Sequence, residues 1–103
     1  MEFECDPKKS AHNREKHGIS LEEAGGLWLV PGIEIEARSI DEPRFLRIAK
    51  SEGKFYSCFF TLRENRIRLI SARRSRPEEI AIYEEEMRRN EEKEKGFGQS
   101  GGP

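Results

Sequence analysis

The residues best suited to chemistry fall into two groups. Lys9, Asn13, Lys16 and His17 stand four, three and one positions apart. On a helix, spacings of three and four bring side chains onto one adjoining face. The second group is Arg63, Arg66, Arg68, Arg73, Arg74 and Arg76. Their guanidinium forks match the paired oxygens of a phosphate. Cutting RNA without a metal needs a base for the 2′-hydroxyl, an acid for the leaving 5′-oxygen, and cations for the charge building on phosphorus. An imidazole such as that of His17 is the usual side chain for such proton transfer, and Lys or Tyr can replace it where the surroundings suit.

The same residues have plain structural uses, and on the sequence both uses stay open. His17 precedes Gly18 and could hydrogen-bond a helix end. Tyr83 lies on an apolar stripe and suits a core aromatic. Arg68 could pair with Glu34 or Glu36. Arg73, Arg74 and Arg76 could bind an acidic partner or the glutamates that follow them.

Other chemistries find less support. His12 and His17 are five apart, and five helical residues rotate roughly 140°, so the rings diverge. Zinc pairs on helices use a spacing of four, so no metal site and no cofactor are expected. Neither Cys5 nor Cys58 has a neighbouring His, and no Gly-x-Ser-x-Gly or phosphate-binding glycine loop occurs. Cys58 lies in an apolar run and suits a small core residue.

Net charge is −1, but it is segregated. Residues 1–62 carry nine Lys and Arg against eleven Asp and Glu, a balance of −2. Residues 63–76 carry six Arg and one Glu, a balance of +5, and residues 77–103 four basic and eight acidic residues, a balance of −4. A concentrated arginine segment suits phosphate or an acidic partner. Two cysteines without a disulfide pattern fit the cytoplasm. No apolar run approaches the roughly 20 residues of a membrane helix, and the acidic N-terminus does not read as a secretory signal.

These groups need a scaffold. At 103 residues the chain is one thin-cored domain, and nine aromatic residues argue against disorder. Residues 1–5 read as an extended lead or edge strand. Asp6-Pro7 opens a helix that Gly18 closes, with Ala11 its only apolar interior residue. Ser20 and Glu23 form a capping box, and Leu21, Ala24, Leu27 and Trp28 make the core stripe of a second helix ending at Pro31-Gly32. Strands follow at 33–37, 44–50, 55–62 and 67–72, with turns at Ser51–Gly53 and Arg63–Asn65. In the last strand, simple alternation puts Ile67, Leu69 and Ser71 on one face, and Arg66, Arg68, Ile70 and Ala72 on the other. Pro77 opens a final helix, docked by Ile80, Tyr83 and Met87. The expected fold is α+β: two N-terminal helices, a four-stranded antiparallel sheet and a C-terminal helix. Helices cover one sheet face, and the other face or its rim is open to a ligand. The domain is expected to span 1–88, followed by a charged, then Gly-rich, mobile tail at 89–103.

Two runs resemble a known family. Phe3-Glu4-Cys5-Asp6-Pro7-Lys8-Lys9, Asn13, Lys16-His17-Gly18-Ile19 and Leu21-Glu22-Glu23-Ala24 resemble the opening of the BrnT family. Arg66–Arg74, with Glu79 and Tyr83, resembles its second motif. The resemblance covers roughly residues 2–86. It implies a RelE-like fold and a type II toxin, a ribonuclease that halts translation. It also implies a ribbon-helix-helix antitoxin of the BrnA type, through which alone DNA is reached. Lys9, Asn13, Lys16, His17, Arg68, Arg73, Glu79 and Tyr83 sit on the family's motif positions. On this reading the catalytic candidates are Lys9, His17, Arg68, Arg73 and Tyr83, with Lys16, Arg63, Arg66 and Arg74 on the RNA backbone. Cys5 departs from the family's usual Trp, and the acidic stretch Glu84–Lys95 is an extension. The rival readings are a non-catalytic co-repressor that docks its antitoxin, and an RNA-binding protein that does not cut.

Overall fold

The computed structural model describes residues 2–100, with side chains to Lys93. The elements are β1 (Glu2–Glu4), α1 (Pro7–His17), α2 (Leu21–Ala24), a 3-10 turn (Gly25–Leu29), β2 (Gly32–Ala37), β3 (Arg44–Ser51), β4 (Lys54–Arg63), β5 (Arg66–Arg74) and α3 (Pro77–Ser100). The protein is α+β, with a mixed five-stranded sheet rather than the expected four antiparallel strands. Its strand order is β1-β5-β4-β3-β2. The added strand is the N-terminal lead. β1 runs parallel to β5, with Glu2, Phe3 and Glu4 opposite Arg66, Ile67 and Arg68.

Local signals explain the ends. Asp6 accepts a hydrogen bond from the Lys8 amide at 2.8 Å, Pro7 takes the first helical position, and Gly18 closes α1 with φ +77°. The Ser20–Glu23 capping box forms with both bonds at 3.0 Å. The second helix is shorter than expected. Gly25-Gly26 disfavours further α-helix, so the chain tightens into a 3-10 turn that still buries Leu27. The hairpin turns are two residues long. Glu52-Gly53 and Glu64-Asn65 all have positive φ, the mirror-image turn that matches strand twist.

A bulge overturns the alternation expected for β5. Phe60 faces Leu69, but Phe59 faces Ser71, so Ile70 is the extra residue. Beyond it the faces swap. Ala72 joins Ile67 and Leu69 in the core beneath α2, and Arg73 moves to the face of Arg66 and Arg68. Helices cover both faces. On one side Ile19, Leu21, Ala24 and Leu27 pack on Ala49, Cys58, Phe60 and Ala72. On the other, Tyr83 and Met87 of α3 pack against Ile33, Leu46 and Ile48. The expected open face is therefore partly closed, and the rims remain. The stretch expected as a tail from residue 89 continues α3 to Ser100, and its last three residues lie outside the described part.

Candidate functional site

The polar helix α1 docks through hydrogen bonds instead of an apolar stripe. Its two buried residues are Ser10 and Asn13. The Ser10 hydroxyl accepts from the amides of Leu21 at 3.0 Å and Glu22 at 3.4 Å, satisfying two of the unpaired donors that open α2. The Asn13 amide nitrogen donates to the carbonyls of Ile19 at 2.7 Å and Ala72 at 2.8 Å, while its oxygen accepts from the Ala72 amide at 3.2 Å. Asn13 thus continues the sheet edge where β1 leaves β5. It fixes the end of α1 against the end of β5.

This junction sets which residues meet. The chain passes from Glu4, opposite Arg68, to Asn13, opposite Ala72, so α1 and β5 advance in one direction. From Asn13 to His17 a helix rises about 6 Å. From Ala72 to Arg74 a strand advances about 6.6 Å. His17 is the last residue of α1 and Arg74 the last of β5, so both stand at element ends just beyond the Asn13 junction. Lys16 is exposed beside it and His17 is half-buried. Lys9 is exposed two turns back. The Arg74 guanidinium lies 5.7 Å from the centre of the Tyr56 ring, and Tyr56 packs against the core beneath α2. Tyr56 and Gly18 line one cleft. The Asn13 junction thus has Lys16 and His17 on its helix side and the Arg74–Tyr56 pair on its sheet side. A larger hollow of about 650 Å³ under residues 36–45 holds none of the candidate residues.

The other arginines lie elsewhere. Arg66 pairs with Glu2 at 2.9 Å, Arg68 with Glu4 at 3.9 Å, and Arg63 with Glu42 at 3.4 Å. The sequence offered Glu34 or Glu36 as partners of Arg68. Glu34 instead holds Arg47 at 3.0 Å, because register sets Glu34 opposite Arg47. Arg73 grips Glu79 with two bonds of 2.8 Å and lies 5.7 Å from the Phe59 ring centre. Glu79 also accepts from the Ser57 hydroxyl at 2.9 Å and the Arg76 amide at 2.8 Å. Burial pushes the Glu79 pKa up, but the bonds from Arg73, the Arg76 amide and Ser57 outweigh it and hold the pKa at about 2. The bond to Glu79 raises Arg73, against the opposing effect of burial. Tyr83 meets Phe55 edge-on at 5.3 Å in the apolar cluster under α3. Of the proposed catalytic set, the fold brings His17 and Lys9 onto the α1 edge. Arg68, Arg73 and Tyr83 have their side chains on the α3 side of the sheet.

Sequence reasoning missed Arg47 and Tyr56. Arg47 donates to the carbonyls of Leu27 and Val30 at 3.0 Å each and lies over Trp28 at 5.2 Å. A charged residue inside an otherwise apolar strand was its only signal. Cys58 is fully buried, and desolvation pushes its thiol up to about 12, which suits the core role expected of it.

The family model for the ribonuclease toxin BrnT of type II toxin-antitoxin systems matches residues 5–79. The chain belongs to the BrnT family. Both polar groups, on α1 and β5, lie inside the matched span. A search of curated proteins finds no match to the chain. A BrnT protein is a ribonuclease toxin of a toxin-antitoxin pair, so its substrate is RNA and its partner an antitoxin. No helix of the described residues is long and apolar enough to cross a membrane.

Proposed function

We propose that this BrnT protein cuts RNA without a metal, at the corner where α1 ends beside the end of β5. The reaction is attack of a 2′-oxygen on the adjacent phosphorus. That P–O bond forms as the bond to the 5′-oxygen breaks, leaving a 2′,3′-cyclic phosphate and a 5′-hydroxyl. His17 takes the proton from the 2′-hydroxyl, and a water at the open corner gives one to the leaving 5′-oxygen. Lys16 and Arg74 bind the phosphate and the charge it gains. Lys9 extends the cationic edge two turns back along α1. Arg63 and Arg66, at the other end of β5 about 26 Å from Arg74, hold phosphates several nucleotides away, since their exposed carboxylate pairs are weak enough to exchange. Arg68, Arg73 and Tyr83 keep the strand and α3 in place on the RelE-like fold that the resemblance implies. One observation supports this reading: Asn13 ties Ile19 to Ala72, which seats the α1 end that carries His17 against the β5 end that carries Arg74.

Neutralisation falls to a ribbon-helix-helix antitoxin that covers this cationic corner and alone contacts DNA. The test is incubation of purified protein with RNA in excess chelator, with analysis of the product ends. Cyclic phosphate and 5′-hydroxyl ends are expected. RNA left intact in chelator but cut on adding Mg²⁺ refutes the metal-free reaction. RNA left intact under both conditions, with antitoxin still bound, favours the co-repressor reading.

A further inference from the structure

Beside the corner lies a cleft of about 290 Å³ that the reaction above does not use. Gly18 and Ile19 form the wall nearest α1, and Tyr56 lies on the sheet side, with Arg74 over its ring. Ser51, Glu52 and Lys54 from the β3–β4 turn close the far end. The turn is fixed, because Glu52 and Gly53 hold positive φ of 51° and 79° in a two-residue hairpin. Glu23 also borders the cleft, but its Oε1 is held by the Ser20 amide at 3.0 Å and Arg14 at 3.4 Å, which fixes that carboxylate to the start of α2. Glu52 is exposed on the turn beside Lys54, so its two oxygens face the cleft mouth without a capping duty.

The geometry points to a nucleobase subsite selective for guanine, next to the scissile phosphate; this rests on the RNA-cutting reading of the corner. Single-stranded RNA is read by stacking bases on aromatic rings or guanidinium planes and bonding their exposed edges. The Arg74 guanidinium, lying over the Tyr56 ring, offers the stacking plane, and its outer N–H groups reach the phosphate of the same nucleotide. At the far end stand an acceptor-only carboxylate and a donor-only ammonium two residues apart. Guanine alone presents two adjacent donors, N1–H and the N2 amino group, beside an acceptor, O6. Glu52 takes both donors and Lys54 donates to O6. Adenine and cytosine each offer one exocyclic donor with an acceptor beside it, and uracil a single N–H between two acceptors. Each loses one of the two bonds to Glu52.

The test measures binding of short 2′-O-methyl oligouridylates carrying one central G, A, C or inosine. These cannot be cut, because the attacking hydroxyl is blocked. The low end for a bidentate contact is about fivefold discrimination. The G oligomer is expected to bind at least about fivefold tighter than the A oligomer, with inosine, which lacks the N2 amino group, in between. Glu52→Gln, an exposed change outside the reaction, should bring G and A within about twofold. Equal binding of all four oligomers, or an undiminished G preference in Glu52→Gln, overturns the subsite. Guanine binding without cleavage of unmodified RNA sinks only the cutting reaction. Cleavage with no base preference in binding sinks only the subsite.

Discussion

Replacing Asn13 by Ala removes the three bonds that seat α1 on the sheet edge, of 2.7, 2.8 and 3.2 Å. Left behind are the Ile19 carbonyl and both backbone groups of Ala72, residues that are 8% and 0% exposed. A buried polar group without a partner costs about 1–3 kcal/mol. The small space that Ala opens at this rim admits water to some of them, which offsets part of the sum. A loss of about 2–4 kcal/mol follows. For a domain of this size each kcal/mol lowers Tm by roughly 4–8 °C. Thermal and urea unfolding followed by circular dichroism should show a drop of roughly 10–25 °C, with the urea midpoint shifted and the slope m unchanged. Asn13→Asp should cost at least as much at neutral pH, because it sets a carboxylate against two carbonyls. A Tm within about 2 °C of the parent in Asn13→Ala would refute the view that this side chain seats the helix.

Arg73→Ala should destabilise by about 3–5 kcal/mol, since it strands the Glu79 carboxylate, whereas the double change Arg73→Met, Glu79→Leu should recover most of that; urea midpoints of the three proteins decide it. Glu79 also sets an acid response. Its pKa of about 2 lies below the ordinary 4.5, so its contribution is full above pH 4.5 and is lost as pH falls towards 2. The loss is on the order of 3 kcal/mol, and unfolding curves of Glu79→Gln should be flatter over that window. Arg47→Met should lower stability by about 2–4 kcal/mol through the unpaired Leu27 and Val30 carbonyls, read as a fall in Tm.

Much of the scaffold was legible because its signals are local. Asp6-Pro7, Gly18 and the Ser20–Glu23 box need only their own neighbours, and each formed. The alternation of Ile33 to Ala37 likewise marked β2. What escaped depends on partners far along the chain. The bulge at Ile70 exists only relative to Phe59 and Phe60 of β4, and it decides which way Arg73 and Arg74 point. The pairing of β1 with β5 joins segments more than sixty residues apart, so three residues of lead gave no sign of a parallel partner. The α1 residues were legible as a polar face. That its buried members would be Ser10 and Asn13, used as hydrogen-bonding pegs, was not, because their partners are backbone groups that become neighbours only in the folded chain.

The most direct test of the corner compares single-turnover RNA cleavage by Arg74→Ala and Arg68→Ala in excess chelator, with both proteins shown folded by their melts. Removing a donor that meets transition-state charge typically costs about 10²–10³ in rate. Arg74→Ala should fall by about that much, while Arg68→Ala, whose guanidinium sits beside Glu4 on the α3 side of the sheet, stays within about threefold of the parent. The reverse pattern, with Arg68→Ala crippled and Arg74→Ala near normal, would contradict a reaction centred where α1 and β5 end.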